Sequence, residues 1–393
     1  MASNGDTPLA GWCDPAFGAV REEFAENFRS RGELGAALCV SVGGRVVIDL
    51  TGGWADAART RPWSPDTLVN VFSVGKALSA VVVAVLVANG TLDVEERVRR
   101  YWPEFGGQGK EDVTLRELLS HQAGLPAVRG SLPERAMLDQ DLMASVLAHE
   151  RPWWKPGTAH GYHVNTFGFL VAEVVRRASG LTVGQLLRRR VAEPLGADVH
   201  IGLPASEHAR VAEFVWSSPG SSPEPAPPDV APVDPALLTE EQRMEYNAYR
   251  NPPGLSGIGW VNMAEWRSTE IPSTNGHASA RGVARVYTAL AAGGGGIVPS
   301  AVLDLFTTEV VAGEDRVLHR PSRFGLGFQL TQPERPLGPG ARSFGHFGAG
   351  GSLGFADPDR RLAFGYVVNA MGPRWQNPRN RALLDAVAAG LGG

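Results

Sequence analysis

The sequence predicts an α/β chain: one antiparallel sheet, flanked by helices, is built from both ends, and a mainly helical region is inserted between its halves. Three observations carry that reading. Strand-like segments cluster at residues 36–50 and again at 325–368, at hairpin spacing. Helix-like segments fill the interval between the two clusters. One of them, 73–89, is apolar on nearly every side, which suits a helix buried all round. The sheet domain then comprises residues 1–72 and 280–393, and the helical domain residues 73–279.

Each element has a local reason. Phe17, Val20, Phe24 and Phe28 recur at helical spacing within 14–33. Gly43-Gly44 turns strand 36–42 back into strand 46–50. Gly90 closes helix 73–89. Helical segments continue at 115–120, 136–149, 165–179 and 183–192. The stretch 217–255 changes character: seven prolines between Pro219 and Pro235, then Pro252-Pro253-Gly254, predict a long irregular loop. Long loops in compact enzymes tend to be functional. The stretch reads as a plain surface excursion or as a lid or pocket wall, and Tyr246, Tyr249 and Trp260 nearby, with their stiff apolar surface, favour the second. A helix at 279–292 leads into strands at 325–330, 343–347, 352–356 and 362–368, and a helix at 381–391 follows.

Composition narrows the function. With 43% hydrophobic and 20% charged residues, the 393-residue chain has ample core and is not intrinsically disordered. Its 37 basic and 41 acidic side chains include no basic block, which leaves no nucleic-acid footprint. Two cysteines, Cys13 and Cys39, make neither a disulfide framework nor a structural zinc site. The nine histidines lack ligand spacing, and no glycine-rich phosphate loop follows a strand. Neither a metal nor any other cofactor is expected. The first residues lack a basic start and an apolar stretch, and the longest apolar run, 80–88, is about half a bilayer span. The expectation is a cytoplasmic protein, not membrane-bound, acting on a small molecule.

Only three of the 37 basic residues are lysines: Lys76, Lys110 and Lys155. Arginine cannot give up its proton in a protein and lysine can, so these three are the candidates for a neutral amine. Lys76 stands in Ser73-Val74-Gly75-Lys76, at the first turn of the most apolar helix. Positions three apart share a helix face, so the hydroxyl and the amine can meet. Burial there would favour the neutral amine, which can take the serine proton. The same spacing also fits a plain N-cap serine and a surface cation, and taken alone leaves both open. A second serine, in Gly350-Gly351-Ser352-Leu353-Gly354, matches a nucleophile-elbow pattern, but a strand rather than a helix follows it. Ser352 therefore reads as a turn residue.

Four motifs in order give a more specific signal: Val71 to Lys76, Leu118 to Leu125, Trp154-Lys155-Pro156-Gly157 with Tyr162-His163-Val164, and His346-Phe347-Gly348. Together they resemble the serine β-lactamase-like hydrolases, in particular class C β-lactamases and family VIII carboxylesterases, over residues 15–390. The resemblance implies a β-lactamase/transpeptidase-like fold with the active site where the two domains meet. It implies Ser73 as nucleophile, Lys76 as its partner and Tyr162 as the proton-shuttling tyrosine. The oxyanion hole would be the N–H groups of Ser73 and Ala349. His346 and Gly348 would line the substrate edge, with Val164 and Asn275 at the cleft.

Two departures bear on the substrate. His346 stands where the lactamases carry a lysine, and Val164 where class C enzymes carry an amide-binding asparagine. Both weaken a β-lactamase or D-alanyl-D-alanine peptidase reading and suit an ester. The function expected is a serine carboxylesterase. An acyltransferase passing the same acyl group to an alcohol or amine is the first alternative, and a non-catalytic scaffold of the same fold is the reading from another class.

Overall fold

The computed structural model describes residues 7–216, 237–252, 260–373 and 375–392. The 219–235 proline cluster lies outside them. Twelve strands are described: β1 (Leu9–Cys13), β2 (Gly35–Val42), β3 (Arg45–Gly53), β4 (Val69–Phe72), β5 (Val199–His200), β6 (Gly276–Ala278), β7 (Val311–Asp315), β8 (Arg320–Phe324), β9 (Gln329–Leu330), β10 (Phe344–Phe347), β11 (Leu353–Asp357) and β12 (Leu362–Val368). Nine form one antiparallel sheet in the order β1-β3-β2-β12-β11-β10-β9-β8-β7, and β4-β6-β5 make a small second sheet. The sheet is thus built from both ends of the chain, with β2 paired to β12 at its centre.

The central strands are apolar without a break because both of their faces are covered. Ala36, Leu38 and Val40 of β2, with Leu362, Phe364 and Tyr366 of β12, pack against Val20 and Phe24 of helix Gly18–Arg29 and Leu383 and Val387 of helix Pro378–Gly390. The alternate residues Ala37, Cys39, Ala363 and Val367 pack on the other side with Val283 and Tyr287 of helix Ala280–Ala291. Gly354 and Gly365 permit that close approach. A Cβ on Gly354 would lie 2.3 Å from the Tyr287 ring, and one on Gly365 2.5 Å from the Ala280 carbonyl.

Helix Val74–Ala88 runs through the middle of the molecule, and every residue from Val74 to Leu86 is buried. Around it lie helices Leu115–Leu119, Gln140–His149, Thr166–Ser179 and Val183–Leu187, the inserted helical subdomain. The structure departs from expectation in the short elements. The first helix is a 3-10 turn, Pro15–Phe17, followed by Gly18–Arg29. The strand expected at 325–330 shrinks to Gln329–Leu330, because Gly327 is left-handed at φ +77° and breaks it. Within the supposed irregular stretch, Glu240–Arg250 is a helix. Thr239 and Gln242 form a capping box that starts it despite the neighbouring prolines. Among the described residues no helix is long and apolar enough to cross a membrane.

Candidate active site

Strand β4 ends in Phe72 with φ +47°, a left-handed conformation that a bulky side chain adopts at a cost of about 1–3 kcal/mol. That kink delivers Ser73 to the start of helix Val74–Ala88. Ser73 occupies the N-cap position, yet its hydroxyl caps no backbone N–H. One turn on, Lys76 Nζ lies 3.2 Å from Ser73 Oγ. Lys76 is fully buried and donates to the carbonyls of Val164 (2.7 Å) and Ser273 (2.9 Å). Burial pushes its pKa well below the usual lysine range. A neutral amine has two N–H groups and one lone pair. With two N–H groups taken by carbonyls, the third direction of the amine meets Ser73 Oγ: the ammonium donates there, and the neutral amine turns its lone pair to the hydroxyl. Glycines let the backbone close around this amine: a Cβ on Gly75 would lie 2.7 Å from Pro272 O, and one on Gly168 2.5 Å from Ser273 N.

Tyr162 is fully buried, and its ring centre is 4.7 Å from Lys76 Nζ. Burial pushes its pKa well above the usual tyrosine value, and the neighbouring Ser73 hydroxyl pulls it back in smaller measure. It is therefore a phenol at neutral pH, and its oxygen completes no hydrogen bond. The ring sits among His121 (5.0 Å), Trp375 (5.0 Å), His346 (6.0 Å) and Phe324, on which it stacks.

Asp315, at the end of β7, holds this tyrosine in place. Its Oδ1 accepts from the N–H groups of Tyr162 (3.0 Å), Val317 (2.9 Å) and Leu318 (2.9 Å). Its Oδ2 accepts from Ser322 Oγ at 2.9 Å, and Ser322 meets His160 at 2.8 Å. The β7–β8 hairpin is thereby fastened to the loop that carries Tyr162. From the other side, His121 Nδ1 accepts from His163 N–H (3.1 Å), and His163 Nε2 accepts from Leu125 N–H (3.0 Å).

His346 lies on β10. Its Nδ1 donates to Phe347 O at 2.6 Å, which leaves Nε2 unprotonated, buried and without a partner. Burial and the nearby Lys76 hold its pKa down to about 3, so it supplies no cation. Beyond β10 the chain turns through Gly348–Gly351. A Cβ on Gly348 would lie 2.3 Å from Val71 O, so glycine is what lets this turn lie against the end of β4. Among the described residues no hydrogen bond occupies the N–H of Ser73 or of Ala349.

The remaining candidates divide. Val164 contributes its carbonyl to Lys76, while its side chain packs with the Tyr162 cluster. Tyr249 packs in the same cluster. Tyr246 instead faces Arg250 (5.7 Å), and Trp260 lies under Arg135 (5.3 Å) against the main core. Asn275 is buried, with its oxygen accepting from Ile271 N–H and its nitrogen donating to Trp266 and Thr269 carbonyls. It ties a turn and has no donor left for a substrate. Its neighbour Ser273 is the one that reaches Lys76, through a carbonyl. Ser352 is buried, accepts from Val368 N–H at 3.3 Å and leads into a strand. Lys110 caps the carbonyls of Ala148 and Glu150, and Lys155 is exposed.

Sequence reasoning missed Asp315, Trp375 and the aromatic trio Phe72, Phe214 and Trp216, whose rings lie 4.9–6.3 Å apart beside the Gly350 turn. Phe72 lies within the Val71–Lys76 motif without having been singled out there; the others sit in no motif, and only folding brings them to the site. Among the described residues no His, Cys, Asp and Glu group could hold a metal ion.

A serine, a buried amine and a phenol at the meeting of sheet and helical subdomain match a known arrangement, and the beta-lactamase family model matches residues 20–389. The chain belongs to the beta-lactamase family. Esterase/beta-lactamase LipL of Mycobacterium tuberculosis (strain ATCC 25618 / H37Rv) is 35% identical over 376 residues, covering 92% of this chain and 83% of LipL. The crystal structure of a family VIII carboxylesterase is similar with a TM-score of 0.87 at 40% identity, covering 96% of this chain and 98% of that one. A penicillin-binding protein homologue from Caulobacter crescentus gives 0.87 at 38% identity, covering 98% and 100%. Within the beta-lactamase family, this chain is a serine hydrolase of the carboxylesterase type that works through an acyl-enzyme.

Proposed function

We propose that Ser73 carries the acyl group, with Lys76 as its base and Tyr162 as the proton donor to the leaving group. One observation carries this assignment: the buried Lys76 amine, its pKa pushed down by burial, meets carbonyls in two directions, and its third direction faces Ser73 Oγ. Lys76 takes the Ser73 proton as Oγ attacks the ester carbonyl. The oxyanion rests on the N–H groups of Ser73 and Ala349, each worth about 2.7–4 kcal/mol in the transition state. As the C–O bond breaks, Tyr162 gives its proton to the leaving alcohol oxygen, and the Lys76 ammonium stabilises the phenolate left behind. Water then attacks the acyl-enzyme. Its proton goes to the Tyr162 phenolate, Ser73 Oγ recovers its own from Lys76, and the acid is released. An alcohol or amine entering in place of water would give an ester or amide.

The substrate is a carboxylic ester with apolar substituents. The apolar surroundings of the site support this: Tyr162, Tyr249 and Trp375 pack in one cluster near Lys76, and Phe72, Phe214 and Trp216 in another beside the Gly350 turn. His346 is neutral and Val164 has no side-chain amide, so a β-lactam would find neither a fixed cation nor its usual amide partner. The decisive experiment is Ser73→Ala together with mass spectrometry of the wild type after p-nitrophenyl butyrate and a fluorophosphonate. Loss of hydrolysis and an adduct on the Ser73 peptide are expected. An adduct on the Ser352 peptide would sink the assignment. A second assay, nitrocefin against p-nitrophenyl butyrate, should show specificity constants that differ by orders of magnitude in favour of the ester.

A further inference from the structure

The turn that carries Ala349 is held from behind by a buried charge. Gly350 O accepts from Arg379 Nη2 (2.9 Å), from Asn377 Nδ2 (3.1 Å) and from Gly372 N–H (3.1 Å). Gly351 O accepts from Asn380 Nδ2 at 3.0 Å. Arg379 Nη2 also donates to Ala370 O at 3.0 Å, and its Nη1 meets Glu33 Oε1 at 2.8 Å. The second Glu33 oxygen accepts from the Tyr366 hydroxyl. The Arg379 side chain is 2% exposed and that of Glu33 0%.

An ion pair this deep adds little to stability. Removing two charges from water offsets most of their attraction, and apolar groups of the same volume often serve as well. Its contacts suggest a different role. Gly350 and Gly351 sit at φ +85° and +120°, where a side chain would be strained, and glycine brings no stiffness of its own. What fixes the turn is the set of donors on its carbonyls, the Asn377 and Asn380 amides and, stiffest among them, the planar guanidinium, whose fork reaches Glu33 on one side and two carbonyls on the other.

We propose that Glu33 and Arg379 are positioning residues for the oxyanion hole: Glu33 orients the guanidinium, the guanidinium locks the Gly350 and Ala370 carbonyls, and the Ala349 N–H is thereby kept in place beside Ser73. This rests on the reading of Ser73 as nucleophile and Ala349 as oxyanion donor. Neither positioning residue touches the substrate. The oxyanion exists only in the tetrahedral state, so a misplaced donor lowers kcat and leaves KM.

The test uses Arg379→Lys, Glu33→Gln and the double variant Glu33→Gln/Arg379→Met, which removes both charges together. Each is checked for fold and melting temperature, then assayed with p-nitrophenyl butyrate and titrated with an alkyl boronic acid, which forms a tetrahedral adduct on serine. Folded variants should lose on the order of 10²-fold in kcat. KM should stay within about threefold. Boronate affinity should fall with kcat. Folded variants that keep kcat and boronate affinity overturn the proposal. So does failure of all three to fold, which would assign the pair to stability alone. Ser73→Ala, assayed in parallel, separates the two levels. If it stays active, the functional reading itself fails; if it is dead while the other variants are unimpaired, only the positioning role does.

Discussion

Lys76 is the residue on which the proposed chemistry turns, and its replacement is the sharpest single test. Lys76→Arg keeps a cation but cannot present a lone pair, so kcat/KM should fall on the order of 10²–10⁴-fold, measured with p-nitrophenyl butyrate on protein checked for fold by circular dichroism. A parallel loss in melting temperature large enough to unfold the protein would shift the effect from chemistry to packing. The pH profile gives a second prediction. Lys76 accepts a proton only when neutral, so kcat/KM falls as pH drops through its lowered pKa. His346 and His163, both held down to about 3, add no limb at the ordinary histidine value of 6.5. A limb near that value which disappears in His346→Gln would contradict this. Ser73 and Lys76 could be picked out of the sequence from their helix-start spacing, and Tyr162 from the family resemblance; the structure brings the three together. Asp315 and Arg379 could not be picked out, since a buried carboxylate or guanidinium looks like any surface charge until the fold surrounds it. Asn275 shows the reverse error: a turn-tying asparagine and a cleft-lining one look alike in sequence.

Among the elements, the β7–β8 hairpin matters beyond its size, because Asp315 fastens it to the loop bearing Tyr162. Asp315→Ala would strand the N–H groups of Tyr162, Val317 and Leu318, at about 1–3 kcal/mol for each buried donor left unpaired. Asp315→Asn keeps the accepting Oδ1. Urea unfolding should therefore rank wild type above Asn above Ala, and kcat should follow the same order. Equal stability of Asn and Ala variants would show that charge, not the Oδ1 acceptor, holds the hairpin. The long elements were predicted well because their apolar periodicity is strong, as in helix Val74–Ala88 and strands β2 and β12. The short ones, β4 and β7 among them, hold too few residues to show a period, and tertiary pairing decides them. Helix Glu240–Arg250 had a readable start in Thr239-Glu240-Glu241-Gln242, but proline density nearby masked it.

For the whole molecule, buried histidines set the response to acid. His163, His277 and His346 are held down to about 3 from 6.5 by burial. Below pH 6.5 the unfolded chain takes up protons that the native state refuses until about pH 3. Their contribution to stability is thus present above 6.5 and is lost as pH falls through that window. Each adds a slope of up to about 1.4 kcal/mol per pH unit. Urea titrations across the window should show unfolding free energy dropping with the uptake of at least about three protons, since burial also holds His121 well below the usual histidine value; a flat profile would mean these rings are solvated. The sheet order also sets a sequence in time. Glu33 and Arg379 are 346 residues apart in the chain yet touch in the fold, and β2, paired early with β3, gains its second partner only when β12 exists. At about 5–20 residues per second, a ribosome delivers the second tens of seconds after the first. Until Ala349 and Arg379 have been made, Ser73 and Lys76 stand without the turn that completes the proposed oxyanion hole, and the β2 edge that meets β12 has no strand beside it.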